Sequence, residues 1–164
     1  MLKLVEYIPN FSLSEARDPA GFQALVETAK SVPGCSLLDA QSDGSHNRTV
    51  LTMVGTPEAV LETAFQLTRR AAELIDMNHH TGEHSRMGAT DVIPFVPTMH
   101  MSVEECVELS RRLGADGVHG RVDLHSRGDT DGHGLLPQRF IDVARGAVAA
   151  GEEQNVRPLH RAAS

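Results

Sequence analysis

Residues 35–54 read CSLLDAQSDGSHNRTVLTMV. Two apolar, β-prone runs, 35–40 and 49–54, flank a polar octet that contains Asp43-Gly44. Asp-Gly between two such runs is a strong short-range hairpin signal, because both residues tolerate the backbone conformations a tight turn needs. The stretch therefore reads as a β-hairpin with His46, Asn47 and Arg48 at or beside its turn. The segments on either side decide which fold that hairpin belongs to.

Upstream, residues 2–8 are apolar and β-prone, and Pro9-Asn10 is read as their stop, followed by turn-type residues to Ser12. Asp18-Pro19 has the form of an N-cap followed by proline at the first helical position. Phe22, Leu25, Val26 and Ala29 follow at helical spacing, and Val32-Pro33-Gly34 ends that helix. Downstream, Thr56-Pro57-Glu58 opens a second helix: a threonine cap, proline at the first position and an acid in the first turn. Val60, Leu61, Ala64, Leu67, Ala71, Leu74 and Ile75 mark its apolar face. Residues 91–96 read as a fourth strand, and Pro94 within it predicts an edge position or a bulge. Ser102-Val103-Glu104-Glu105 is a capping box ahead of Val103, Cys106, Val107 and Leu113. The order is β-α-β-β-α-β with one further helix. It predicts an α+β fold: a ferredoxin-like split βαβ sandwich, with a mixed sheet and helices on one face.

Bulk properties narrow the function. At 164 residues the expectation is one main domain, with enough chain to bury roughly 70% of its unfolded surface without a disulfide or metal. A net charge of −7 argues against a general nucleic-acid or anionic-membrane binder. Trp is absent and aromatics are few, which leaves little for stacking bases. Cys35 and Cys106 sit in apolar contexts and read as buried free thiols of a reducing compartment. With no apolar run of spanning length and an N-terminus unlike a signal peptide, a cytoplasmic location is expected.

The chemistry concentrates in residues 76–97, DMNHHTGEHSRMGATDVIPFVP, which follow the long helix. His79, His80 and His84 fall within six residues, beside Glu83 and Arg86. Gly82 and Gly88 make this a loop, where side chains can be aimed from a rigid frame. His80 and His84 are four apart, but no third ligand is set by spacing, so no metal is assigned. An imidazole with an ordinary pKa of about 6.5 can take and give a proton near neutrality. Arg48 and Arg86 lie in loops that the split βαβ order can bring together. Guanidinium grips carboxylate at two points, which suits a dicarboxylate or folate-like ligand. His46 and Asn47 add polar groups beside Arg48, and Asp39 or Asp43 is available to orient a histidine or to serve the turn.

Six motifs in order resemble the N-terminal subdomain of glutamate formimidoyltransferase, also the formiminotransferase half of formiminotransferase-cyclodeaminase. They are IPNFS at 8–12, HNRTV at 46–50, Val54-Gly55, LIDM at 74–77, GEHSRMGATDVIPFVP at 82–97 and MSVEECVELSRRLG at 101–114. The resemblance covers roughly residues 2–114. It implies transfer of a formimino group from N-formimino-L-glutamate to tetrahydrofolate, a co-substrate, in histidine degradation. It also implies that His84 is the catalytic histidine. From their charge, polarity and position rather than from the resemblance, His46, Asn47, Arg48, His80, Glu83 and Arg86 are expected to bind substrate. Family members set a second subdomain across the cleft, so a homo-oligomer or a partner chain supplying that wall is expected here. The alternatives are a folate-binding remnant without turnover and a ferredoxin-like interaction module.

After Gly114 the character changes to ADGVHGRVDLHSRGDTDGHG, rich in glycine, histidine and aspartate, and no lysine follows Lys30. Residues 1–114 are expected to form the subdomain, and 115–164 a divergent tail, poorly ordered or read from a shifted frame.

Overall fold

The computed structural model describes residues 1–83, 86 and 88–116. These form strands β1 (Val5–Tyr7) and β2 (Asn10–Phe11), helix α1 (Pro19–Lys30), and strands β3 (Cys35–Asp43) and β4 (Arg48–Gly55). Helix α2 (Pro57–Leu74), strands β5 (Thr90–Val92) and β6 (Phe95–Pro97), and helix α3 (Val103–Asp116) follow. His84, Ser85, Met87 and all but the first residues of the expected tail lie outside the described residues.

The class is α+β, as expected. The β3–β4 hairpin forms over its whole length, from Cys35↔Gly55 to Asp43↔Arg48. Its turn spans 44–47, and the residue at positive φ is Asn47 (50°) rather than Gly44. Asparagine tolerates this left-handed conformation better than most residues. Strand β3 slips register between Leu37 and Asp39, leaving Leu38 as an extra, exposed residue.

Two corrections concern the sheet. Pro9 does not end the first strand; pairing resumes as β2, because a proline removes one donor without preventing the chain from running on. Its carbonyl still accepts from Leu51 N at 3.2 Å. The 90–97 strand breaks in the same way around Pro94, whose carbonyl accepts from Ile8 N at 3.3 Å. The two broken strands lie side by side, β1 on β6 and β2 on β5. Of the edge position or bulge expected from Pro94, the edge position is present among the described residues. The second correction is to the mixed sheet: every pairing among the described residues is antiparallel. The first strand and β3 are joined by a helical crossover, but β4 is inserted between them and runs against both.

One face of the sheet is packed. Val5 and Tyr7, with Thr49, Leu51 and Met53 of β4, alternate inward and are buried, while Glu6, Val50, Thr52 and Val54 between them are half-buried. Helices α1 and α2 pack together over this face, and α3 packs against α2 and β6. Leu25, Val60, Ala64, Leu67 and Cys106 close the core from the helix side. Tyr7 stacks on Phe95 with centroids 5.3 Å apart and planes 18° from parallel. The Tyr7 and Thr68 hydroxyls lie close beneath the sheet without a hydrogen bond of ordinary geometry. Burial pushes the Tyr7 phenol far up from its usual pKa.

The helix starts follow the sequence. Asp18 Oδ1 accepts from Gly21 N at 2.9 Å. Ser102 and Glu105 form a reciprocal capping box, Ser102 N to Glu105 Oε2 at 3.0 Å and Glu105 N to Ser102 Oγ at 3.2 Å. Thr56 occupies the cap position of α2 but makes no side-chain cap bond. A two-pronged ion pair, Arg112 to Glu58 at 2.8 and 2.7 Å, ties α3 to the first turn of α2. Both cysteines are free and buried, and burial raises both thiols, Cys106 to about 11. No helix among the described residues is long and apolar enough to cross a membrane.

Candidate functional site

Three segments meet at one end of the sheet. Residues 12–17 leave β2, the 44–47 turn leads into β4, and the loop after α2 returns to β5. Because β2 and β5 both run against β4 or its neighbour, the end of β2, the start of β4 and the start of β5 coincide.

The histidine loop is fastened to this end through its backbone. Glu83 N donates to Ser45 O at 3.3 Å. The Thr81 carbonyl accepts from Asn47 Nδ2 at 3.1 Å and from Arg17 Nη1 at 3.0 Å. The Gly82 carbonyl accepts from Arg86 Nη2 at 3.0 Å. Gly82 itself is required by contact: a Cβ there would fall 2.4 Å from His46 O and 2.8 Å from the Arg86 guanidinium. The approach of the two arginine-bearing loops, expected from topology, is therefore realised between 45–47 and 81–83.

Asn47 is engaged at both ends of its amide, since Oδ1 also accepts from the buried Ser14 hydroxyl at 3.0 Å. His80 is held between the two loops. Its Nε2 faces Asn47 O at 3.2 Å, and the Arg86 guanidinium lies against the ring nearest Nδ1. Arg86 Nη1 also lies 2.9 Å from Nε2, so the ring bridges the turn and the loop whichever nitrogen carries its proton. Burial pushes its pKa down, and the Arg86 and Arg17 charges push the same way against the opposing bond to Asn47.

His46 is oriented by Asp43, Nδ1 donating to Oδ2 at 2.7 Å. Asp43 Oδ1 accepts from Ser45 N and His46 N. The His46 bond, then those backbone bonds, hold the Asp43 carboxyl below the usual carboxylate range. His79 pairs with Asp76 in the same way at 3.0 Å but is 85% exposed. Arg48 begins β4, is half-buried, and makes no side-chain hydrogen bond or ion pair with a described residue. Glu83 is exposed. His84 lies outside the described residues. Among the described residues, no group of three or more His, Cys, Asp or Glu could hold a metal ion.

Residue-by-residue reading missed the third segment. Ser12 Oγ donates to Gly88 O at 2.7 Å, and Ser12 N to Ala89 O at 2.9 Å. Arg17 spans from the Gly44 carbonyl, by Nε at 3.0 Å, to Thr81. A serine and an arginine in a polar loop carry no periodic signal, and only the Pro-Asn-Phe-Ser motif drew attention to that stretch.

The fold and site thus define an α+β domain that holds imidazole and guanidinium groups where three loops converge. Residues 4–124 match the formiminotransferase domain, N-terminal subdomain. The chain belongs to this family. It is 55% identical over 113 residues to a glutamate formimidoyltransferase of Streptococcus pyogenes serotype M1, covering 69% of this chain and 37% of that protein. It is 56% identical over 114 residues to the formimidoyltransferase-cyclodeaminase of Gallus gallus, covering 70% and 21%. The chain thus spans between about a fifth and just over a third of these relatives. Among solved structures, MupZ from Pseudomonas fluorescens superposes with a TM-score of 0.43 at 13% identity, over 74% of this chain and 83% of its own, a likeness too slight to build on.

Proposed function

We propose that this domain supplies the histidine-bearing half of a formimino transfer from N-formimino-L-glutamate to N5 of tetrahydrofolate, on a ferredoxin-like frame in the cytoplasm. The observation that supports it is the fastening of Thr81 and Glu83 to the hairpin turn that leads into Arg48. Both relatives reported above are named as formimidoyltransferases.

In this reading N5 attacks the protonated amidine carbon and a tetrahedral aminal forms. His84 accepts the N5 proton and returns one to the glutamate nitrogen. That C–N bond then breaks, leaving the formimino group on N5 and free glutamate. Acid-base help of this kind contributes about 10²–10⁴-fold. The two guanidiniums differ in availability. Arg86 is committed to Gly82 and His80, whereas Arg48 is open to a substrate carboxylate. His46, steadied by Asp43, adds a donor at the same rim, and Glu83 adds an acceptor. Asn47 and His80 serve the ligand through the loop they hold.

A second reading is folate binding without turnover. Calorimetry with tetrahydrofolate, followed by a formiminoglutamate turnover assay on wild type and His84→Ala, separates the two. Binding without turnover supports the second. Turnover that survives in His84→Ala removes that residue from its role, and absence of binding ends both readings.

A further inference from the structure

We infer that Arg17 is a positioning residue, a clamp that sets the histidine loop against the hairpin turn. The inference rests on the reading of that loop as the reaction centre. Arg17 lies 29 positions before His46, the first histidine of the motifs, yet one planar guanidinium bridges two of the three converging loops. Nε donates to the Gly44 carbonyl at 3.0 Å, at the start of the turn. Nη1 donates to the Thr81 carbonyl at 3.0 Å and to the Thr81 hydroxyl at 3.1 Å, directly before Gly82.

The fork geometry matters. Only guanidinium projects donors in fixed, divergent directions from one rigid plane, so the spacing of the two carbonyls is set by the side chain itself. The loop has no ladder of its own to do this. Between Thr81 and Glu83 its backbone bonds run to Arg17, Asn47, Arg86 and Ser45. Arg17 is in turn held at its base: its N–H donates to Ser14 O at 3.2 Å, and Ser14 is fully buried. The path from the core to the Gly82 peptide is therefore short. Arg17 does not need to touch substrate; it restrains the peptide two residues before His84.

The test is hydrogen exchange at the Glu83 amide, read by NMR on the full chain, with Arg17→Ala, Arg17→Lys and, as a surface control, Arg69→Ala. Loss of charged-donor bonds predicts exchange at Glu83 at least about tenfold faster in Arg17→Ala. Core amides such as those of Leu51 and Met53 should not change. Arg17→Lys should recover part of the protection, because an ammonium can serve one carbonyl but not both. Added guanidinium ion should restore protection in Arg17→Ala and leave Arg17→Lys unaltered. If Glu83 exchange is the same in Arg17→Ala as in wild type and Arg69→Ala, Arg17 positions nothing. If core amides accelerate equally, its role is general stability and the inference is equally overturned. Tetrahydrofolate titration of the same wild-type sample judges the functional reading separately, since the exchange result does not depend on ligand.

Discussion

The Asn47 side chain joins two loops that are 34 residues apart in sequence: its amide nitrogen donates to the Thr81 carbonyl at 3.1 Å while its oxygen accepts from Ser14. It does so from a backbone at φ 50°, so one residue both makes the turn and holds the loop. Asn47→Gly keeps the turn and should lose the two side-chain bonds, about 1 kcal/mol each. Asn47→Ala should lose them and also strain the backbone by a further ~1–2 kcal/mol. Urea unfolding of the two variants checks the order; equal destabilisation would mean that the left-handed conformation contributes nothing.

Gly82→Ala tests the contact between loop and hairpin. A Cβ 2.4 Å from the His46 carbonyl cannot be absorbed by rotating a side chain, so the loop must lift. The expected result is at least tenfold weaker ligand binding with the main unfolding transition within about 0.5–1 kcal/mol of wild type, because loop openings lie well below the global unfolding free energy. Calorimetry beside thermal unfolding reads both.

Acid should release the same loop. Because the folded state disfavours the His80 imidazolium, the unfolded chain takes that proton more readily. The contribution of His80 is complete above the ordinary imidazole pKa of about 6.5 and is lost as pH falls through that value toward the lowered one. Glu83 exchange, corrected for its intrinsic pH dependence, should therefore rise between pH 7.5 and 5.5. His80→Gln should flatten that rise; an unchanged slope would assign it to another group.

Tyr7→Phe is expected to be neutral or stabilising. It keeps the stack on Phe95 and removes a buried hydroxyl that lacks a good partner. Tyr7→Ala should cost about 3–5 kcal/mol through the cavity it leaves. Denaturant midpoints for the pair measure this, and a clear loss in Tyr7→Phe would show that the hydroxyl is satisfied in solution.

The elements were legible because each carries a local signature: Asp18-Pro19, the Ser102–Glu105 box, and the alternation of Thr49, Leu51 and Met53. The strand resumed after Pro9 was not, because its pairing depends on Leu51 and Val92, far away in sequence. The hairpin was read as antiparallel, but that every other pairing among the described residues is antiparallel too was hidden, since it follows from β4 lying between β3 and β1. Among site residues, His80 and Arg86 stood out as titratable groups near glycine. Their engagement with each other and with Asn47 is a tertiary fact without a sequence period. Arg17 looked like any solvated arginine, since what distinguishes it is the position of two carbonyls.

The paired breaks at Pro9 and Pro94 bear on how the domain behaves among its own copies. An open sheet edge is a template for another chain, and aggregation through edges is the usual hazard of such architectures. Here one outer strand is cut into two three-residue pieces by a proline. The other outer strand, β3, is kinked at Leu38 and carries Asp39 and Asp43. Among the described residues, neither border offers a long, flat row of free amides. These irregularities leave its margins poor seeds for fibrous growth, and repairing them with straight, proline-free strands should make the protein more prone to aggregate even where it becomes more stable.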